Sequence, residues 1–219
     1  MNSFNRKIKQ GYDNIAEIWN KEREWYIEQP SIDEAISHLK PRAKILDVGC
    51  GSGKPIAAYL IEKGYDVYGV DISPNLLKYA EKIISKKKLF KADLCEFTTD
   101  IKFDAIICWF TLFHIHAKHH LTVLKKLYSF LHPQGILCIT FADTSHVIDN
   151  IAIKIIDEYT IESKMFGEYF CHSGRPAFEN SCLIKEAGFE IITDKIDQPG
   201  NQVILAMKKQ IVKTKVLKK

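Results

Sequence analysis

Short apolar runs and longer amphipathic stretches alternate along the chain. The runs near 44–48, 66–71, 88–92, 103–109 and 136–142 predict strands buried on both faces. Stretches near 54–63, 74–85 and 118–131 repeat apolar residues at helical spacing and predict the helices between them. An amphipathic region over 5–28 and a helix near 31–39 precede the first strand. After Asp143 comes an insertion over 145–175, with a helical stretch expected near 147–164. A helix near 177–187 and strands near 189–196 and 201–208 close the pattern. Asp197-Gln198-Pro199-Gly200 is a tight-turn sequence, so the last two strands should form an antiparallel hairpin. Strand alternating with helix predicts an α/β fold, a doubly wound parallel sheet covered on both faces.

The chemistry concentrates where the first predicted strand ends. Ile45, Leu46 and Val48 enclose Asp47, and Gly49, Gly51 and Gly53 follow at alternate positions, so the backbone can turn sharply with no Cβ in the way of a ligand. Asp71 lies about 20 residues further on, at the end of the second strand, where a carboxylate can accept from both hydroxyls of a ribose. This unit predicts a nucleoside-bearing cofactor. Its spacing differs from a dinucleotide fingerprint, because position 54 is lysine where the third glycine would be expected. It differs from a mononucleotide loop as well, because three residues rather than four separate Gly49 from Gly53-Lys54 and Pro55 follows.

The pattern D-x-G-x-G-x-G from Asp47 to Gly53 resembles the signature loop of class I S-adenosylmethionine-dependent methyltransferases of the bacterial small-molecule type. Further segments carry the same resemblance. Phe90 to Leu94 is similar to the end of the family's third strand, and Trp109 to His114 to its "W-x-S-x-x-H-L" segment. Leu131 to Leu137 is similar to its "L-x-P-G-G-x-L" turn, with Gln134 in place of one glycine and Gly135 left to take a positive φ. Gly11 to Trp19 resembles an amino-terminal segment that folds over the cofactor, and Tyr169 to Ser173 a "Y-H-x-S" wall of the acceptor pocket.

The resemblance implies a Rossmann-like seven-stranded sheet in the order 3-2-1-4-5-7-6, strand 7 antiparallel. It implies S-adenosylmethionine as cofactor and S-adenosylhomocysteine as product. Asp47, Gly49, Cys50, Gly51 and Gly53 would lie against the methionine part, Asp71 and Ile72 at the ribose, and Asp93 and Leu94 at the adenine. Cys108 and Trp109 would flank the methionine side, and Tyr12 would close over it, with Trp19 a weaker candidate. Trp109, Phe113, His114, Tyr169 and His172, beside Phe170, would wall the acceptor pocket. The implied domain spans 1–208, with 1–40 as a helical lid and 145–175 over the acceptor site.

Methyl transfer from a sulfonium is an in-line displacement, which rewards alignment and exclusion of water. A base helps only if the acceptor must lose a proton, and His114 is the candidate; a structural histidine bonded to backbone is the alternative. His116 and His120, spaced i, i+4, lack the glutamate and cysteines of common metal sites, so no metal is expected. The reading is methyl transfer to an O, N or C atom of a small-molecule acceptor. RNA or protein methylation and a non-catalytic cofactor-binding regulator are the alternatives.

Composition narrows these. A length of 219 residues at 46% hydrophobic suits one domain with a full core. Residues 208–219 hold six lysines and no acid, leaving about −2 on the rest of the chain (+4 less the tail's six). The lysine-rich tail, 209–219, and the basic run Lys82 to Lys88 read as solvated ends, so nucleic acid is not the expected partner. Six cysteines without paired spacing suit a reducing compartment. No membrane span or signal peptide is expected, which points to a cytoplasmic monomer or homodimer.

Overall fold

The computed structural model describes residues 3–22, 30–143, 154–198 and 200–209. Two helices, α1 (Ser3–Asn14) and α2 (Ala16–Glu22), open the chain, followed by α3 (Pro30–Ser37). Strand and helix then alternate: β1 (Lys44–Val48), α4 (Ile56–Glu62), β2 (Asp66–Asp71), α5 (Pro74–Ala80), β3 (Leu89–Lys91), β4 (Phe103–Cys108), α6 (His120–Phe130) and β5 (Leu131–Ala142). A small antiparallel sheet follows, β6 (Lys154–Asp157), β7 (Thr160–Met165) and β8 (Glu168–Ser173). The end of the fold is α7 (Ala177–Glu186), β9 (Phe189–Gln198) and β10 (Asn201–Lys208).

The large sheet has the order β3-β2-β1-β4-β5-β10-β9, with β10 antiparallel to both of its neighbours. This is the expected order, and the expected hairpin joins its last two strands. Successive residues of each central strand serve opposite faces, as a pleated strand requires. Ile45, Ala105, Ile107, Ile136 and Cys138 meet α3 and α4 through Ile32, Ala35 and Leu60. Leu46, Ile106, Leu137 and Ile139 meet α6 and α7 through Leu124, Leu127 and Ile184. Both faces are thus covered, and function is left to the sheet's carboxyl edge.

Two expectations change. The helix expected near 147–164 is replaced over 154–164 by strands; its earlier part lies outside the described residues, as do 23–29 of the amino-terminal region and Pro199 of the hairpin turn. The chain from Thr160 buries Thr160, Ile161 and Ser163, and pairs with β8 across a turn whose Phe166 and Gly167 both have positive φ, a geometry that matches strand twist. The positive φ of the turn inside β5 falls on Gln134 (65°), while Gly135 is needed for space: a Cβ there would stand 2.9 Å from the His132 carbonyl oxygen.

Because Gln134 is exposed and left-handed, Gln134→Gly should relieve steric cost and stabilise the chain by about 0.5–1 kcal/mol. A thermal melt should show a rise of about 2–4 °C per kcal/mol. A lower melting temperature would contradict the assignment of strain to this residue.

Candidate functional site

The site is built on the exit from β1. Gly49 turns with φ 71°, and its N–H and that of Cys50 donate to the Val70 carbonyl at 2.8 and 3.2 Å. A Cβ on Gly49 would lie 2.0 Å from Oγ1 of Thr111, so no other residue fits. Gly51, φ 53°, donates its N–H to Oδ2 of Asp71 at 2.9 Å. A Cβ on Gly51 would project between Trp19 and Leu76, both of which line the cavity above the loop. Gly53 (φ 83°) completes the turn through its N–H to the Cys50 carbonyl, without lining the cavity.

Along the sheet edge the cavity carries one acid per strand. Asp71 closes β2, and its Oδ1 accepts from the N–H of Ser73 at 2.8 Å. Burial pushes this carboxyl up to about 6, against the pull of its backbone donors. Asp93, just past β3, accepts from Cys95 N–H at 2.9 Å and from the Asn5 amide at 2.7 Å. Asp47, 3% exposed, is pushed up to about 8 by burial and by the neighbouring Asp71. Ile72, Ala92 and Leu94 supply apolar wall between the acids.

The amino-terminal helices form the roof. Asp13 accepts from the Ser73 hydroxyl at 2.6 Å and the Asn75 N–H at 3.2 Å. Although burial opposes it, hydrogen bonds from Lys9, Ser73 and Asn75 hold the Asp13 carboxyl below its ordinary value. Tyr12 and Trp19 line the cavity and pack edge to face, ring centroids 5.3 Å apart. The Tyr12 hydroxyl meets Nε2 of His114 at 2.7 Å, while Nδ1 of His114 faces the Cys171 carbonyl at 3.2 Å. A carbonyl only accepts, so Nδ1 carries the proton and Nε2 accepts from Tyr12. Burial, then the neighbouring His172, hold the His114 imidazolium well below the ordinary range, so the ring is neutral.

Asp47, Gly49, Cys50, Gly51, Asp71 and Ile72 therefore line one cavity with Asp93, Leu94, Trp109, Tyr12, Trp19 and His114. Five expected side chains, Phe170 among them, stand elsewhere. Cys108 is fully buried in the core beneath the cavity. Phe113 packs against His114 and His172, and His172 lies behind His114 with ring centroids 4.9 Å apart, its own imidazolium pushed down to about 4 by burial. Tyr169 is 44% exposed, because in β8 it is Phe170 that points inward, against Gly11 of α1. Nor do the histidines of the 114–120 segment share a face: Nε2 of His116 meets Asp157 at 3.2 Å, and Nε2 of His120 donates to the Ile115 carbonyl at 2.8 Å.

Several site residues were not legible beforehand. Asn5, Asp13 and Thr111 owe their roles to partners 88, 60 and 63 residues away, at Asp93, Ser73 and Val48. Only the Ser73-Pro74 helix start carried a local signal, and there the Ser73 hydroxyl accepts from Leu76 N–H at 3.1 Å.

The methyltransferase-domain family matches residues 20–193. The chain belongs to this family of methyltransferase domains, and its seven-stranded sheet has the order expected of the class I fold. The methyltransferase is similar to the putative methyltransferase YqeM of Bacillus subtilis, 34% identical over 105 residues, 45% of this chain and 42% of that protein. It is also similar to phosphoethanolamine N-methyltransferase 1 of Zea mays, 30% identical over 160 residues, 70% of this chain and 26% of that protein. The chain spans less than half the length of either relative. In fold it resembles the 1,6-didemethyltoxoflavin-N1-methyltransferase of Burkholderia thailandensis solved with S-adenosylhomocysteine, TM-score 0.65 at 20% identity, over 94% of this chain and 87% of that one. Among the described residues, no helix is long and apolar enough to cross a membrane.

The cavity fits the family's cofactor. Room that a Cβ on Gly51 would fill, and a carboxylate at Asp71 fixed by two backbone donors with further acceptor capacity, suit a ribose held against a bare backbone loop.

Ribose hydroxyls donate best to the ionised carboxylate, so affinity for S-adenosylhomocysteine should fall as pH drops through about 6, where Asp71 takes up its proton. Asp71→Asn should weaken binding roughly 10- to 100-fold at neutral pH and shift that dependence. Calorimetric titration between pH 5 and 8 measures both, and a flat wild-type profile would remove Asp71 from the ribose site.

Proposed function

We propose that this methyltransferase transfers a methyl group to a nitrogen or oxygen atom of a small-molecule acceptor. The observation that carries the reading is the Tyr12–His114 pair, joined at 2.7 Å and lining the cavity beneath the aromatic roof. S-adenosylmethionine would supply a sulfonium-bound methyl group, which an aligned nucleophile takes in line as the C–S bond breaks and the thioether of S-adenosylhomocysteine leaves with the electron pair.

The chain's own residues align that nucleophile and keep water away. Tyr12 donates a hydrogen bond from its hydroxyl to Nε2 of His114, which turns the oxygen's acceptor side toward an N–H or O–H of the acceptor. The Cys171 carbonyl fixes the histidine tautomer, and Phe170 and Trp19 pack the Tyr12 ring from either side. His114 is too deeply buried to store a proton at neutral pH, so the pair acts by orienting the acceptor.

A cavity roofed by amino-terminal helices suits a small acceptor better than a folded RNA or protein. The slightly acidic charge outside the lysine-rich tail agrees, since a polyanion needs a basic track. The similar proteins from Zea mays and Burkholderia thailandensis carry names of small-molecule N-methylation. A non-catalytic sensor has no need of a paired tyrosine and histidine beside its ligand.

The test is a mass-spectrometric methyl-transfer screen of small amines and hydroxylated compounds, beside RNA and peptide pools. Turnover confined to the pools would overturn the reading. With an accepted substrate, Tyr12→Phe should lower kcat roughly 100-fold while S-adenosylhomocysteine affinity changes less than about threefold. His114→Asn, which keeps an acceptor for Tyr12, should lose less than His114→Ala. Unchanged kcat in Tyr12→Phe would move the acceptor to a different wall of the cavity.

A further inference from the structure

The β7–β8 hairpin carries the wrong residue for its turn. Met165 pairs with Glu168, so Phe166 and Gly167 alone form the loop, and their φ values of 49° and 87° are those of a type I′ turn. Such a turn favours Asn-Gly, Asp-Gly or Gly-Gly, because both of its residues are left-handed; a bulky aromatic in first place is strained. The Phe166 ring is also left 46% exposed, so burial offsets little of that strain.

The contact the ring does make is with the roof. Phe166 stands edge to face against Trp19 of α2, ring centroids 6.3 Å apart and planes at 85°. Trp19 packs in turn on Tyr12 and lines the cavity, and its Nε1 is the nearest atom, at 3.7 Å, to the place a Cβ on Gly51 would take. The indole thus stands beside the bare loop that suits the cofactor, with the hairpin tip against it. Behind the tip the hairpin is anchored to α1: Glu162 pairs with Lys7, Glu168 accepts from the Asn14 amide at 3.1 Å, and Met165 packs with Ile8 and Ile15. An anchored strand pair therefore presents one strained aromatic to a roof residue that borders the ligand.

We propose that Phe166 is a positioning residue for the cofactor: its ring holds the Trp19 indole at the glycine loop and slows the departure of bound ligand. Strain at a turn residue, offset by a contact to a different element, is what a functional demand on that residue produces. A ligand seated against the loop leaves past Trp19, so the Phe166 contact parts in the dissociation step, and its loss speeds departure more than entry. The inference rests on the cofactor lying in this cavity and is independent of the acceptor.

Surface plasmon resonance with immobilised protein measures both rate constants for S-adenosylhomocysteine. Phe166→Asn should raise the dissociation rate roughly 3- to 10-fold and change the association rate less than about twofold. The melting temperature of the ligand-free variant should fall by no more than about 2 °C, because the turn relaxes as the ring contact is lost. Phe166→Tyr, which keeps the ring, should stay within about twofold of wild type. Phe166→Gly, equally relaxed in the turn, carries the test if Phe166→Asn does not fold. In a Trp19→Leu background, Phe166→Asn should change the dissociation rate less than about 1.5-fold, since its effect passes through the indole.

An unchanged dissociation rate in Phe166→Asn would overturn the proposal, and so would an equal effect with and without Trp19. A melting temperature lowered further than that limit, together with faster release, would make Phe166 a residue of hairpin stability and overturn it as well. Wild-type protein with no affinity for S-adenosylhomocysteine would overturn the cofactor's place in the cavity and the inference with it.

Discussion

The hydroxyl of Thr111 stands 3.0 Å from the carbonyls of both Val48 and Trp109, and so ties together the carboxyl ends of two adjacent parallel strands. Its side chain fills the space that a Cβ on residue 49 would need, so the backbone of Gly49 passes directly against it. From that contact the rest of the edge follows. The chain leaves β1 in a left-handed turn, Gly51 is delivered to the Asp71 carboxylate, and the loop backbone faces an open cavity rather than protein. A larger residue at 49 would part β1 from β4, and every cavity residue on those strands would move with them.

The amino-terminal helices close this edge through polar contacts to residues that line the cavity or support its acids. Asn5 bonds Asp93, and Asp13 bonds Ser73, whose own N–H bonds Asp71. Tyr12 bonds His114, which a carbonyl from the small sheet holds from behind. Three hydrogen-bonded links thus start on α1, from Asn5, Tyr12 and Asp13, and reach the sheet edge and the small sheet. Such networks resist apportioning among their members, because loss of one partner leaves others buried and unsatisfied.

What could be read from the sequence was what local backbone chemistry dictates. Asp47 to Gly53 must turn left-handed and stay bare, and only glycine does that at low cost, so the loop and its ligand class were visible. The sheet order came with the family resemblance rather than from the residues themselves. What failed depends on distant partners. Lys154 to Met165 contains apolar residues at spacings that suit a helix, and only pairing with Glu168 to Ser173 makes it sheet. Tyr169 and Phe170 are a matter of phase: one position along a strand exchanges wall for solvent, and no local feature fixes it. At the β5 turn, glycine was needed for space at 135 and the strained φ went to Gln134, because close approach and left-handedness are separate demands.

The acids of the site show what this arrangement costs the protein itself. Asp47 accepts a backbone hydrogen bond from Ala57, yet burial and Asp71 still raise it from an ordinary 3.8 to about 8. The folded chain therefore holds this proton more tightly than the unfolded chain does. Its contribution to stability is fully present below an ordinary carboxyl value and is lost as pH rises toward about 8. At neutral pH the fold thus carries an electrostatic burden at this buried acid. A ligand bearing positive charge beside Asp47 and Asp71 lowers the free energy of their ionised forms, so binding and proton release are linked. A site of this composition is least comfortable when empty, and it gains most from a ligand whose charge is cationic at the sulfur and amine.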